Sequence, residues 1–311
     1  MTRMLPGGLP PGSIVPPGIA GRPGRLRRFA TWLHARPRTQ LRLLLAGPMA
    51  WMVLAYLGSL LILLLSAFWE KDAFTGRVEP FVWSLDAFGD LAGNEVYRTI
   101  AIRTIGIAAL VTVTDALLAF PIAYYLARVA SPRMRGMVII AILMPLWAAY
   151  LVKVYAWRTI LQGNGFFEWA LGPLGIDAPG LGQIANSWLV LSYLWLPYMI
   201  LPIYAGLERI PSSLLEASSD LGARGGTTFR RVILPLVVPA LVAGSIFTFS
   251  LTLGDYITPD LVSDAKFIGN VIYDNSSLGN VPLAAAYSLL PIVVMIGYML
   301  VARRLGAFES L

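Results

Sequence analysis

Six long apolar runs, at about residues 43–69, 98–127, 136–161, 185–206, 232–254 and 283–302, alternate with shorter polar segments along this chain. Each is near or above the roughly 20 residues a helix needs to cross a bilayer, so the pattern predicts an all-α integral membrane protein with six transmembrane helices. Pro121, Pro197, Pro202 and Pro239 fall inside these runs and predict kinks, which are tolerated where neighbouring helices re-satisfy the backbone.

One polar segment has a pattern of its own. Residues 207–231 form a charged island between the fourth and fifth runs. Pro211 suits the first turn of a helix, and Ser213 and Glu216 have the spacing of a capping box, two cues about two residues apart in register. Leu214, Ala217 and Leu221 then share one face, Glu216, Ser219 and Asp220 point elsewhere, and Gly222 supplies a helix end. The expectation is a short amphipathic helix that rests its apolar face on the membrane-spanning protein and offers its polar face outward.

Composition narrows the class. The 311 residues are 57% hydrophobic and 13% charged, against about one quarter charged in soluble domains. There is no Cys, and the single histidine, His34, lies in a basic tail, so no catalytic residue and no metal site is expected. The net charge of +7 invites nucleic acid as a partner, but the basic residues are not gathered on a soluble domain. Residues 1–42 read as a flexible Pro/Gly-rich and then basic tail, with seven Arg and no acid between Arg22 and Arg42. Such a tail can touch anionic membrane lipid or serve only as a topology signal. No cleaved signal peptide is expected, because the first apolar run starts too late and is too long.

The charges sort by side. Lys and Arg number 17 in segments 1–42, 128–135, 207–231 and 303–311, against three in 70–97, 162–184 and 255–282. The positive-inside rule therefore places both termini, including a short tail at 305–311, and the 207–231 loop in the cytoplasm. The opposite segments are acidic, with Glu70, Asp72, Glu79, Asp86, Asp90 and Glu95 in one and Asp260, Asp264 and Asp274 in another. Such a face concentrates cations locally, over about 8 Å at physiological salt, or is acidic only because acids are not retained inside.

Polar residues within the runs are candidates for a substrate path. Asp115 sits mid-span, where an unpaired carboxylate costs about 3 kcal/mol on insertion scales, so it should line a route, pair with Lys153 or bond to helix backbone. Trp147, Tyr150, Tyr155 and Trp157 surround Lys153 and Arg158. They serve as interfacial anchors or as faces for alkylammonium groups at about 0.5–2 kcal/mol each. Asp255 and Tyr256 follow Gly254 at the end of the fifth run, and Trp195 lies in the fourth. Asp255 is either a turn residue or a ligand carboxylate.

Glu216-Ala217-Ser218, Gly222, and Val232-Ile233-Leu234-Pro235 resemble the loop signature of permease subunits of ATP-binding-cassette importers: Glu-Ala-Ala, three residues, Gly, nine residues, Ile-x-Leu-Pro. Ser218 and Val232 are the two departures. Pro145-Leu-Trp, residues 151–157 and Gly163-Asn164-Gly165 look like the third span of the spermidine/putrescine branch, where Arg is usual at Lys153. Residues 249–262 and 280–288 look like that branch's last outer loop and sixth span, although Ser263-Asp264 stands where a Gly pair is common and Asn280-Val281 where Asp-Trp is.

The resemblance covers roughly residues 43–304 and implies a type I importer permease (MetI-like) architecture in a bacterial cytoplasmic (inner) membrane. It makes 207–231 the coupling loop, with Glu216, Ala217, Ser218, Leu221 and Gly222 at the ATPase. The implied partners are two ATP-binding-cassette ATPase subunits, a second homologous permease and an extracellular or periplasmic substrate-binding protein. The chain has no Gly-x-x-x-x-Gly-Lys-Ser/Thr loop, so ATP and Mg are expected only in the ATPase and no cofactor in this chain.

The implied cargo is a polyamine, and the path candidates are Asp115, Tyr150, Trp157, Trp195, Asp255 and Tyr256. The same machinery with another small solute stays open. A self-sufficient secondary transporter would need an inverted repeat that the sequence does not display, and an intramembrane enzyme would need paired catalytic groups.

Overall fold

The computed structural model describes residues 37–72, 75–162, 165 and 182–304. The basic tail, most of the 163–181 segment with Gly163 and Asn164, and the 305–311 tail lie outside the described residues. Two compact units divide at Ile62 and Leu63. The first contains α1 (Pro37–Trp51) and most of a π-helical stretch and helix that continue it, so that Leu44–Ser66 forms one 23-residue helix with α2 (Gly58–Ser66) at its end.

In the second unit the helical pattern is interrupted once among the described residues. Strands β1 (Trp69–Lys71) and β2 (Val78–Trp83) pair antiparallel, with Trp69 opposite Trp83, and a short helix α3 (Asp86–Gly93) follows. This hairpin was not in the all-α expectation. It falls between runs, in a segment rich in Trp, Phe and Val.

Helix α4 (Glu95–Tyr124) begins where the Asn94 side chain accepts from the Val96 N–H at 2.9 Å, the usual N-cap device. It continues through a π-helical turn, Tyr125–Val129. Its buried Thr104 and Thr112 hydroxyls donate to their own helix, to the Ile100 and Ala108 carbonyls at 2.8 and 2.7 Å, so they cost little in the interior. Ser131 caps α5 (Pro132–Trp147), with Pro132 at the first position.

The third apolar run, expected as one span, is two helices. Ala148 and Ala149 are extended, and α6 (Tyr150–Leu161) leaves α5 at 94°. Pro145 removes a backbone donor from the last turn of α5 and weakens it where the chain turns.

Helices α7 (Gln183–Glu208), α10 (Leu234–Gly254) and α13 (Val281–Arg304) complete the long apolar elements. Helix α10 is the end of a 30-residue helical run from Gly225 that includes α9 (Gly225–Thr228) and the π-helical Phe229–Ile233. Among the described residues, these with α4 supply four of five helices long and apolar enough to cross a membrane, Leu44–Ser66 being the fifth, and the number is six if the bent α5–α6 pair is one span.

The core lies among α4, α7 and α10, where Ala119, Ala123, Leu126, Met199, Ile203, Leu207, Ile233 and Val237 are buried together. Lipid offers no hydrophobic drive for helix association, so close backbone approach matters, and small residues permit it. A Cβ on Gly206 would lie 2.5 Å from that of Ala240, and one on Gly244 would lie 2.9 Å from Met199 Sδ. Helix α13 joins α10 through Tyr298 Oη, which donates to Ser245 Oγ at 2.7 Å, and through the Phe249–Tyr298 ring stack.

Candidate functional site

At one end of this bundle the segment after α10 folds back as α11 (Ile257–Val262) and α12 (Ile268–Ser277). Asp255 follows the last residue of α10 and is 8% exposed. Its Oδ1 accepts from the Ile257 and Thr258 N–H groups, both at 3.0 Å. Its Oδ2 accepts from Tyr150 Oη at 2.5 Å and Thr258 Oγ1 at 2.9 Å.

All the lone-pair capacity of this carboxylate is thereby spent. The Asp255 carboxylate starts α11 and fastens α6 to it. Burial pushes its carboxyl above the usual range, while the donors from Tyr150, Thr258 and Ile257 pull it back. Of the two sequence readings for Asp255, the turn residue is the one its contacts display.

Fastening Tyr150 this way fixes its ring, which stacks on Trp195 of α7 at 6.0 Å with 15° between the planes. Tyr150, Trp195, Ser250, Leu251, Gly254, Asp255, Tyr256 and Ile257 line a cavity of about 390 Å³. A second cavity of about 280 Å³ shares Gly254 and Tyr256 with it. There Tyr256 stacks on Tyr273 of α12 at 4.7 Å. Gly269 lets α12 approach, since a Cβ there would meet the Gly254 carbonyl and Tyr256 Cβ at 3.0 Å.

Four of the six path candidates, Tyr150, Trp195, Asp255 and Tyr256, therefore meet at one place. Trp157 does not line that cavity. It packs on Tyr193 at 5.3 Å, in a cluster with Val154, Val190 and Leu194. Asp115 is fully buried in α4 and does not line it either. Neither Asp115 oxygen has a hydrogen-bond partner among the described residues, the Ser192 hydroxyl lies beside it without hydrogen-bond geometry, and no ion pair joins it to Lys153.

The sequence reading missed Thr258 and Tyr273. Thr258, three residues after Asp255 and just before Pro259, carried a helix-start signal. Tyr273 stood in a polar stretch without one.

The acidic loop is partly self-neutralised. Lys266 bridges Asp260 and Asp274, each at 3.2 Å, and Gln183 donates to Asp264 at 2.9 Å.

At the other end of the bundle, α8 (Ser212–Asp220) forms the expected short helix, with two corrections. Pro211 is its N-cap with extended backbone and no side chain caps it, so Ser213 and Glu216 do not make a capping box. The buried face is also not the expected one. Ser218 is 8% exposed and Leu215 is half-buried, whereas Leu214 is 43% and Leu221 87% exposed. Ala217 and Glu216 are exposed with them.

Ser218 and Thr228 hydroxyls pair at 2.8 Å, which turns that polar edge inward and the apolar edge out. Gly222 ends the helix at φ +74°, with the Ala223 N–H on the Ser218 carbonyl and the Gly222 N–H on that of Ser219. This is the Schellman arrangement a glycine permits.

Residues 108–308 match the family described as "Binding-protein-dependent transport system inner membrane component". The chain is 44% identical over 306 residues to the "Inner membrane ABC transporter permease protein YdcU" of Escherichia coli (strain K12), covering 93% of this chain and 97% of that protein. It is 31% identical over 257 residues to the "Spermidine/putrescine transport system permease protein PotB" of Salmonella typhimurium (strain SL1344), covering 80% of this chain and 88% of the relative.

Among solved structures, a bacterial ABC transporter involved in the import of the acidic polysaccharide alginate superposes with a TM-score of 0.69 at 18% identity, covering 88% of this chain and 99% of that one. A second alginate transporter structure, in complex with an alginate pentasaccharide-bound periplasmic protein, superposes with a TM-score of 0.68 at 18% identity, covering 86% and 93%. At this identity the likeness is one of fold.

Proposed function

The chain belongs to the binding-protein-dependent transport system inner membrane component family, as a multi-pass permease subunit of an ATP-binding-cassette importer, and on that premise we propose that it forms half of a path for polyamines of the spermidine and putrescine class. The observation that carries the cargo reading is the meeting of Tyr150, Trp195, Asp255 and Tyr256 around one cavity. A polyamine is a row of ammonium groups on apolar spacers. Aromatic faces hold such groups by cation–π attraction without fixing them tightly. The Asp255 charge behind the Tyr150 ring adds a field of the right sign, and a fully bonded carboxylate does not trap the passing cation. The 31% identity to PotB supports the same cargo. A second reading, another small solute, draws on that fully bonded Asp255, which leaves no free carboxylate oxygen for an ammonium group.

The energy comes from elsewhere. In this proposal both termini and α8 face the cytoplasm, and α8 docks on one of two ATPase subunits that bind ATP and Mg. Leu214, Ala217 and Leu221 give it an apolar docking edge and Glu216 a charge for a basic residue of the ATPase. A second homologous permease completes the path, and an external binding protein delivers cargo at the end that carries Asp255. ATP-driven closure of the ATPase pair turns the cavity outward, and hydrolysis resets it.

The test is ATP hydrolysis by the complex reconstituted in lipid with its binding protein, across spermidine, putrescine, amino acids and anions. Stimulation by the polyamines alone is expected. Stimulation by a different solute overturns the cargo and leaves the coupling, and no recoverable ATPase partner overturns both.

A further inference from the structure

The approach to α8 is held by two arginines that the functional reading has not used. Arg128 lies in the π-helical turn at the end of α4 and is half-buried. Its Nη2 donates to the carbonyls of Leu207 and Ile210, each at 2.7 Å. Leu207 is in the last turn of α7, where its carbonyl has no ordinary helical partner four residues on and takes instead the Ile210 N–H at 3.3 Å. Ile210 immediately precedes Pro211, the N-cap of α8.

Arg135, in the first turn of α5, donates from Nε to the Leu126 carbonyl at 3.0 Å and from Nη1 to Glu208 at 3.3 Å. Tyr204 donates to the same Glu208 oxygen at 3.0 Å. The end of α4, the start of α5, the end of α7 and the start of α8 thus meet at two guanidinium groups. A helix end can be capped by a side chain of its own last turn. Here the donor is a single residue on a different helix, 79 positions from one carbonyl and 82 from the other.

We propose that Arg128 is a positioning residue that fastens the entry of α8 to the α4–α5 corner. Motion of α8 then reaches α4 and α5 directly, and is not passed only along the chain into α7 and α10. The inference rests on the reading of α8 as the helix that meets the ATPase. Both bonds leave one nitrogen, Nη2, whose two hydrogens are fixed in the guanidinium plane, whereas the hydrogens of a lysine ammonium rotate freely and hold two carbonyls less rigidly.

Because the chain has no Cys, an introduced pair is unambiguous. In the reconstituted complex, Arg128→Cys should leave ATP hydrolysis near the parent level while spermidine taken up per ATP falls about fivefold, within the range known for residues that carry coupling. Arg128→Lys should fall in between. Bridging Arg128→Cys to Ile210→Cys with a short dithiol-reactive reagent should restore the ratio.

An unchanged ratio in Arg128→Cys overturns the proposal, and so does a bridge that blocks uptake, since the two points would then have to separate during the cycle. Should Arg128→Cys fail to assemble, Arg128→Lys decides on the same ratio: a lowered value supports the link and the parent value overturns it. Failure of the docking reading shows elsewhere, as a Leu221→Asp complex that keeps its ATPase.

Discussion

At one end of the bundle Asp255, Tyr150 and Thr258 spend their polar atoms on one another, and what is left facing the cavity is largely apolar, with three aromatic rings. At the other end α8 buries Ser218 against Thr228 and turns Leu214 and Leu221 out. Both arrangements invert the simple rule that polar side chains face away from the protein interior, and under the proposed function they suit opposite tasks. A path for a cation would need a field and weak faces, with its charge satisfied from behind. A docking edge would need apolar area that no intramolecular neighbour covers.

Four substitutions break or sharpen this contrast. The largest effect is expected from Gly206→Val, which strikes the scaffold common to both ends. With 2.5 Å between the added Cβ and that of Ala240, helices α7 and α10 must separate. Overpacking of this kind costs about 1–3 kcal/mol or more, and the yield of folded protein in detergent, read by size-exclusion chromatography, should collapse.

Next comes Leu221→Asp. The side chain is 87% exposed, so thermal unfolding should be unchanged while the ATPase fails to co-purify. Unchanged co-purification would remove the docking edge from the account.

Asp255→Leu should act at the opposite end alone. It strands the Ile257 and Thr258 N–H groups, each costing about 1–3 kcal/mol when buried without a partner, while the Tyr150 and Thr258 hydroxyls keep each other at 2.6 Å. The unfolding temperature of the permease should drop, with Asp255→Asn intermediate. Equal effects of Leu and Asn would mean the carboxylate is not what holds α6 to α11.

The smallest effect is expected from Ser218→Ala. One hydroxyl pair is worth about 1 kcal/mol, and loss of uptake should stay below about fivefold, the factor of 1.4 kcal/mol per decade being the guide. A large loss would mean that the Ser218–Thr228 pair, and not the exposed edge, governs docking.

Much of this was legible in the sequence. Span lengths follow from bilayer thickness, and Leu44–Ser66, Glu95–Val129, Gln183–Glu208, Gly225–Gly254 and Val281–Arg304 overlie five of the apolar runs. Gly222 was read correctly because only glycine sits easily at φ +74°. The turn between α5 and α6 was not legible, since Ala148 and Ala149 are as apolar as any helix interior and hydropathy is blind to direction.

The orientation of α8 was misread because a helical wheel ranks faces by polarity, whereas the Ser218–Thr228 bond decides which face turns in. Asp255 was left with two readings because its local donors, from Ile257 and Thr258, mark a turn, while the donor that spends the rest of the carboxylate, Tyr150, lies 105 residues away and has no local signal. The two Arg128 bonds, spanning 79 and 82 residues, were invisible for the same reason.

The most direct test of the central claim compares two variants in one assay, the concentration dependence of spermidine uptake by the reconstituted complex. Trp195→Ala should raise KM about tenfold, since it removes one cation–π face and the ring that stacks on Tyr150, with little change in maximal rate. Glu216→Ala should lower the maximal rate and leave KM in place. The same kinetic signature from both variants would contradict an account in which one end handles cargo and the other handles energy.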